Sequence, residues 1–507
     1  MLGMSNCARR KGMAKRVLIV GAGPGGLATA MLLAKTGLEV TVIEKQPRVG
    51  GRTSAIEGEG YRFDLGPTFF LYPQVLEKIF SAVGRDLHRE VPMKKLDPQY
   101  RLIFGAGGEL LCTSDIERMV GEIARLAPAD APSFRRFMAD NRVKLEKFAP
   151  CLQSPWLGWT SLLQARLLAV LPHLKPLTSL HAELASYFRD PRLQLAFTFQ
   201  SKYLGMSPFQ CPSLFSILSF LEYEHGIWHP IGGCNALTRG MARVATELGA
   251  TVRLNEPVEE ILFENRRAVG VRTATGALRA DAVVLNADFG HAMTKLVPAR
   301  QRRKWTDAAI AGKRFSCSTF MLYLGVEGRC DELQHHNIYV AANYRQNLDE
   351  IENRHVLSED PSFYVENPSR TDDTMAPPGH SALYVLLPVS HQHPNIDWSR
   401  ERDRYRQVAL KQLSKVGLAD IEKRIRFERV VTPVDWESKV GIYRGATFNL
   451  AHNLGQMLHL RPRNRFEEFD RLYLVGGGTH PGSGLPVIFE SARISARLLL
   501  EDLGVSA

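Results

Sequence analysis

The sequence predicts an α/β fold in which one nucleotide-binding domain is assembled from segments far apart in the chain. Three observations carry this. A glycine-rich turn joins a strand-like run to a helix-like run in KRVLIVGAGPGGLATAMLLAKTGLEVTVIEKQ. A second such turn stands near the other end, in LYLVGGGTHPGSGLPVIFESARISARLLLEDL. Between them, after a stretch of different character, strand–helix alternation returns at residues 223–262.

The first segment is the most informative. Val17 to Val20 form a short apolar run suited to a buried parallel strand. Gly21-x-Gly23-x-x-Gly26 follows, then a helical stretch to Lys35 and a second strand, Glu39 to Ile43, that ends at Glu44. Gly21 permits a tight turn, Gly23 lets a pyrophosphate approach the backbone, and Gly26 lets helix and strand pack closely. The pyrophosphate then rests on a helix N-terminus, where free N–H groups and the dipole favour anions. Glu44 lies at the spacing of a carboxylate that binds both ribose hydroxyls. A lone glycine pattern is weak, but the flanking strands and the strand-end acid make this one specific.

The next residues choose between NAD and FAD. RVGGRTSAIEGEGYRFDLGPTFF places Gly50-Gly51-Arg52 just beyond Glu44, where a nicotinamide domain would continue into another helix. A glycine turn with a basic residue instead suits an FAD domain, reaching back to the diphosphate, and the planar fork of Arg52 binds phosphate oxygens bidentately. Asp64 to Thr68 then supply a turn of little bulk against a large flat cofactor.

The later segments complete the domain. Gly232-Gly233 open a helix, a strand at Thr251 to Leu254 follows, and the backbone at Val258 is placed to read an adenine edge. The terminal glycine turn brings a second helix N-terminus, near Pro486 and Val487, toward the flavin end of the same cofactor. Two loops thus serve two ends of one long molecule. The expected segments are 15–114, 226–300 and 448–507 for the FAD domain, 115–225 for a helical region, and 301–447 for a substrate-domain sheet.

Bulk composition bounds the rest. A chain of 507 residues exceeds one ordinary core. Its 45% apolar and 23% charged content is globular, and its net charge of +11 suits a phosphate-bearing cofactor or an anionic membrane surface. The basic residues are dispersed and no nucleic-acid-binding signature occurs, so no nucleic-acid partner is expected. Seven scattered cysteines form no CxxC, which points to free thiols, a reducing cytoplasm and no metal site. His335-His336 and His391/His393 lack helical ligand spacing and read as loop or surface residues. The basic start MLGMSNCARRKGMAK has no apolar h-region, and no run is long enough to span a bilayer. The leucine-rich stretch 155–177, with Trp156, Trp159, Arg166, His173 and Lys175, is either a buried helix pair or an amphipathic face lying in a membrane surface.

GAGPGG…EK…GGRT…FDLGPT, YEHGIWHPIGG, SFYVENPSRTDDTMAPPGHSALYVLLPVSH and LYLVGGGTHPGSGLP together resemble the bacterial and fungal phytoene desaturase family. The likeness runs over nearly the whole chain from Lys15. It implies a glutathione-reductase/amine-oxidase-like FAD domain of discontinuous segments, an inserted mixed-sheet substrate domain and a membrane-contacting helical region. It implies an FAD-dependent peripheral membrane enzyme of the cytoplasmic inner leaflet, acting on polyisoprenoids such as phytoene or 4,4′-diapophytoene. By that resemblance Gly21, Gly23, Gly26, Glu44, Lys45, Gly51, Arg52, Thr53, Val258, Gly477, Gly478, Pro486 and Val487 are FAD contacts. Where an amine oxidase would carry an acid after the last strand, this chain has Gly477-Gly478-Thr479, and no cysteine is placed for a covalent flavin link. Both departures favour a polyene over an amine. The same motifs serve C30 and C40 desaturases, isomerases and terminal oxidases. A non-catalytic isoprenoid escort of the same fold is the alternative of another class.

Desaturation needs hydride transfer to flavin N5 and loss of a neighbouring proton, with quinone or oxygen as the final acceptor. Burial at about 0.8 kcal/mol per CH2 supplies substrate binding. His480, in the flavin turn, is the candidate for ring positioning or proton relay, and His225, Trp228 and His229 are candidates for the cavity wall. Glu490 falls one turn into the last helix. Asp372-Asp373 reads as an exposed turn.

Overall fold

The protein is described by a computed structural model covering residues 14–158, 175 and 177–506. Five strands build the first sheet: β1 (Arg16–Val20), β2 (Glu39–Ile43), β3 (Thr251–Arg253), β4 (Ala282–Leu285) and β5 (Leu472–Leu474). They are all parallel, in the order β3-β2-β1-β4-β5, with Leu18 beside both Thr41 and Val283. Chain segments distant in sequence therefore become neighbours in one sheet. β4 is buried along its whole length, as an inner parallel strand covered on both faces must be.

Helix α1 (Pro24–Ala34) follows β1, and α2 (Leu485–Leu503) follows β5. The sequence of α1, PGGLATAMLLA, is apolar nearly all round because the helix is enclosed. Its Leu27, Met31 and Leu33 share one core with Leu237 and Met241 of helix Asn235–Glu247 and with Phe489 and Leu499 of α2. Burying each such side chain contributes roughly 1.5–3 kcal/mol.

A seven-stranded mixed sheet forms the second layer. Its order is Ile425–Val431, Ser318–Val326, Ser381–Val389, Phe363–Glu366, His336–Val340, Tyr100–Phe104, Glu109–Cys112. Only Tyr100–Phe104 and His336–Val340 pair in parallel. Helix Trp398–Leu413 packs on one face through Tyr405, Ala409 and Leu413. The hairpin Ala55–Gly58/Tyr61–Asp64 meets the other face through Ile56, Tyr61 and Phe63. Residues 100–112, expected in the first FAD segment, belong to this second sheet instead. The pairing hides Leu102 and Phe104 almost completely.

Helices Ile116–Leu126, Ala131–Leu152 and Ser216–His225 cover the far side. Trp156 is 2% exposed, packs with Phe148, Leu214 and Ile217, and donates from Nε1 to the Cys151 carbonyl at 3.3 Å. It is a core residue, not a headgroup-level one. Trp159, Arg166 and His173 lie outside the described residues. Lys175 pairs with Glu183 at 2.9 Å. No helix among the described residues is long and apolar enough to cross a membrane.

Candidate functional site

One cavity of ≈ 720 Å³ runs between the two sheets. Gly21, Gly23, Glu44, Lys45, Gly51, Arg52, Thr53, Val258, Gly477, Pro486 and Val487 all line it. They come from five separate stretches of chain, and the parallel order of the first sheet is what gathers them at the strands' carboxyl ends.

Each is held by local geometry. Gly21 adopts φ +100°, which only glycine takes without strain. Glu44 is 5% exposed; Ala22 N–H donates to its Oε2 at 2.7 Å and Gln46 N–H to its Oε1 at 2.9 Å. Those two donors fix the carboxylate at the end of β2. Burial lowers the Lys45 ammonium, and the neighbouring Glu44 opposes that shift. Arg52 reaches across to donate to the Thr447 carbonyl at 2.7 Å.

FAD fits these residues. Gly23 immediately precedes α1 and Gly484 immediately precedes α2, and neither start has a side-chain cap or an acid in its first turn. Both positive helix ends are therefore open to electron-rich groups of the kind that FAD carries.

Two lining residues were missed from sequence. Asn286 follows β4 and donates from Nδ2 to the Gly21 carbonyl at 3.2 Å. Asp288 accepts from Asn449 Nδ2 at 2.6 Å and from the His291 N–H at 3.1 Å, and burial pushes its carboxyl up while Arg52 opposes this. The usable signal was position: both follow the carboxyl end of an inner parallel strand, where ligands of such sheets bind.

The other end of the cavity is apolar and aromatic, with Phe69, Phe199, Tyr203, Leu218, Leu221 and Tyr364 on its wall. Phe69 lies 5.4 Å from both Tyr203 and Tyr364, centroid to centroid. The turn at Leu65–Thr68 is held against the seven-stranded sheet. Tyr323 donates to the Leu65 carbonyl at 2.5 Å, Tyr384 donates to that of Gly66 at 2.7 Å, and the Thr68 and Tyr364 hydroxyls are 2.8 Å apart. Lys202 also lines the wall and pairs with Glu352 at 3.4 Å. Glu490, within α2, lines the cavity, and Arg493 holds it at 2.9 Å.

Several expected site residues lie elsewhere. The lining passes from Gly477 to Pro481 without Gly478 or His480. A Cβ on Gly478 would strike Phe289 at 2.4 Å, so its open side faces the core. The His480 ring is 1% exposed, edge-on to Trp156 at 6.1 Å, and burial holds its pKa down at about 3. That ring is packed away from the cavity and is a poor proton carrier at neutral pH. His225 bonds Gln74 at 3.0 Å behind Tyr72, and Trp228 faces His88. His229 is 1% exposed with Nε2 3.0 Å from Asp372 Oδ2. None of these three lines the cavity, because strand Ile227–Pro230 sits behind its wall, paired with Phe70–Leu71. Gly26, also expected among the FAD contacts, does not line the cavity and packs against the Gly21 carbonyl and Asn286.

His335 lies in the loop just before strand His336–Val340 but is 3% exposed, while His336 is on that strand and 0% exposed, against the loop or surface reading. Asp372, expected in an exposed turn, is 2% exposed because its carboxylate accepts from the Gly232 and Thr374 N–H groups, and of the two acids only Asp373 is exposed.

The family model for flavin-containing amine oxidoreductases matches residues 24–500. A 4,4′-diapophytoene desaturase (4,4′-diapolycopene-forming) of Methylomonas sp is 43% identical over 96% of this chain and 95% of its own. An all-trans-zeta-carotene desaturase of Myxococcus xanthus is 42% identical over 98% and 95%. Wild-type putrescine oxidase bound to putrescine shares the fold, with a TM-score of 0.60 at 17% identity over 97% of this chain and 99% of that one. The chain belongs to the flavin-containing amine oxidoreductases, in the family of the carotenoid desaturases.

Proposed function

We propose that this FAD-dependent oxidoreductase introduces double bonds into a long polyisoprenoid of the phytoene or 4,4′-diapophytoene kind. The observation that carries the proposal is the two-ended cavity: nucleotide-binding turns at one end run without a break into an apolar, aromatic wall at the other.

In this proposal Gly21, Gly23 and the start of α1 hold the diphosphate, Glu44 the ribose, Arg52 a phosphate oxygen and Val258 the adenine edge. Gly477, Pro486 and Val487 bring the start of α2 to the flavin ring. Bound FAD supplies the hydride acceptor. Everything else is positioning. Phe69, Tyr203 and Tyr364 press the chain of the substrate flat and exclude water, so the reacting CH2–CH2 is held in one orientation. Allylic conjugation carries the developing positive charge, so the wall needs no nucleophile. The Thr68 and Tyr364 hydroxyls at that end are tied to each other at 2.8 Å.

The substrate reaches the protein from a membrane surface in this proposal, on the cytoplasmic side, and quinone or oxygen takes up the electrons. Support comes from two exposed leucines, Leu157 (48%) and Leu177 (96%), which stand on either side of residues 159–174, and from the net charge of +11. The test supplies FAD-loaded protein with phytoene or with 4,4′-diapophytoene in liposomes, with a quinone or with oxygen, and separates the products. New polyenes from either substrate support the proposal. No product from either under both acceptors contradicts it.

A further inference from the structure

Behind the aromatic wall lies a sealed polar cluster that the desaturase chemistry does not use. His229, on strand Ile227–Pro230, is joined there by His335 and by Glu366, at the end of strand Phe363–Glu366. All three are at most 3% exposed. One nitrogen or oxygen atom from each lies within 4.8 Å of those of the other two. His335 Nε2 and Glu366 Oε1 are 3.4 Å apart, yet neither makes a hydrogen bond, and nor does His229 Nδ1.

The remaining ring nitrogens are engaged. His229 Nε2 lies 3.0 Å from Asp372 Oδ2, and His335 Nδ1 lies 2.9 Å from Thr371 Oγ1. One ring nitrogen anchored by an oxygen and the other left without a partner is the arrangement of metal-ligating histidines. The 3.4 Å spacing of His335 Nε2 and Glu366 Oε1 is that of two ligands each about 2.0–2.1 Å from one tetrahedral ion.

Charge points the same way. Asp64, Glu366 and Asp372 are all buried, and none is paired with a lysine or arginine among the described residues. Asp64 relies on the N–H groups of Cys234 and Asn235, and Asp372 on His229 and Gly232. Buried carboxyls with no basic partner are costly to ionise, and a dication held among them offsets that cost.

We propose that His229, His335 and Glu366 supply three ligands of one divalent transition-metal ion of the zinc type. Two imidazole nitrogens with one carboxylate oxygen suit zinc and its neighbours, and do not suit calcium or magnesium. The ion ties strand Ile227–Pro230 to the seven-stranded sheet directly behind Tyr364, whose hydroxyl lies 2.7 Å from His336 Nδ1. Since the ligands are sealed from solvent, the ion enters as the chain folds and exchanges slowly afterwards.

The test is metal content in the full-length, FAD-loaded protein, produced in medium supplemented with zinc or with cobalt and freed of any affinity tag. The expected result is about one ion per chain, with cobalt-grown protein showing ligand-field bands to the red of the flavin absorption. Glu366→Gln and His229→Gln should lose most of the ion, and His391→Gln, outside the cluster, should keep it. Wild-type protein with less than about 0.1 ion per chain from both media overturns the proposal whether or not the variants fold. Retention of the ion by folded Glu366→Gln and His229→Gln overturns it as well.

Discussion

A Cβ added at Gly26 would stand 2.3 Å from the carbonyl oxygen of Gly21 and 2.9 Å from Asn286 Nδ2. The first contact is with backbone that cannot swing aside, so α1 would have to leave the turn. Gly26→Ala should therefore weaken FAD binding at least about tenfold and cost about 1–3 kcal/mol of stability. Gly121, exposed in helix Ile116–Leu126, has nothing within 4 Å of the same added atom. Gly121→Ala should gain about 0.5–1 kcal/mol. Flavin-fluorescence titration and chemical denaturation check both.

Glu44 accepts from two backbone N–H groups at the end of β2, through both of its oxygens. In Glu44→Gln the amide NH2 must face one of those donors. Apo-protein stability should fall by about 1–3 kcal/mol. FAD affinity should fall further, because the lost carboxylate is also the proposed ribose acceptor. Comparing apo and FAD-loaded denaturation midpoints separates the two effects.

Lys202 and Glu352 form a largely buried ion pair at the cavity wall, with side chains 15% and 11% exposed. Removing one partner leaves the other charge stranded. Lys202→Met and Glu352→Leu should each cost about 3 kcal/mol, and the double variant clearly less than their sum. A double-mutant cycle in urea reads the coupling. Additive losses would show that the two side chains act independently.

His480 ties stability to acid. Its folded pKa is held at about 3 by burial, with Arg461 adding to the effect. An unfolded histidine titrates near 6.5, so below about pH 6.5 the unfolded chain binds a proton that the native ring does not. The stability is complete above that pH and is lost as pH falls toward 3, at up to about 1.4 kcal/mol per unit. His480→Phe, which keeps the contact with Trp156, should flatten this slope. Denaturation at about pH 7 and pH 5 should show wild type losing about 1–3 kcal/mol more than the variant.

What was legible in the sequence was local. The β1–α1–β2 unit, the acid at Glu44 and both glycine turns are each written in one short stretch, and the structure brings them to one cavity. What was not legible was long-range or directional. Nothing near Tyr100 announces that it will pair in parallel with residues around Asn337. A polar pair such as His335-His336 reads as surface until the strands on either side are known. His480 sits in the expected turn, yet residue position alone does not say which way a ring points, and Trp156 takes it into the core. Asp372, unlike the exposed Asp373, faces the Gly232 N–H and His229 Nε2. Asn286 and Asp288 carry no motif of their own and become visible only as strand-end positions.

The most direct measurement is an anaerobic one. FAD-reconstituted protein receives phytoene or 4,4′-diapophytoene in liposomes while the visible spectrum is recorded. The predicted result is loss of the oxidised flavin band near about 450 nm, matched mole for mole by new polyene absorption. A flavin band that stays unchanged with both substrates, with FAD demonstrably bound, would contradict desaturation as the function of this cavity.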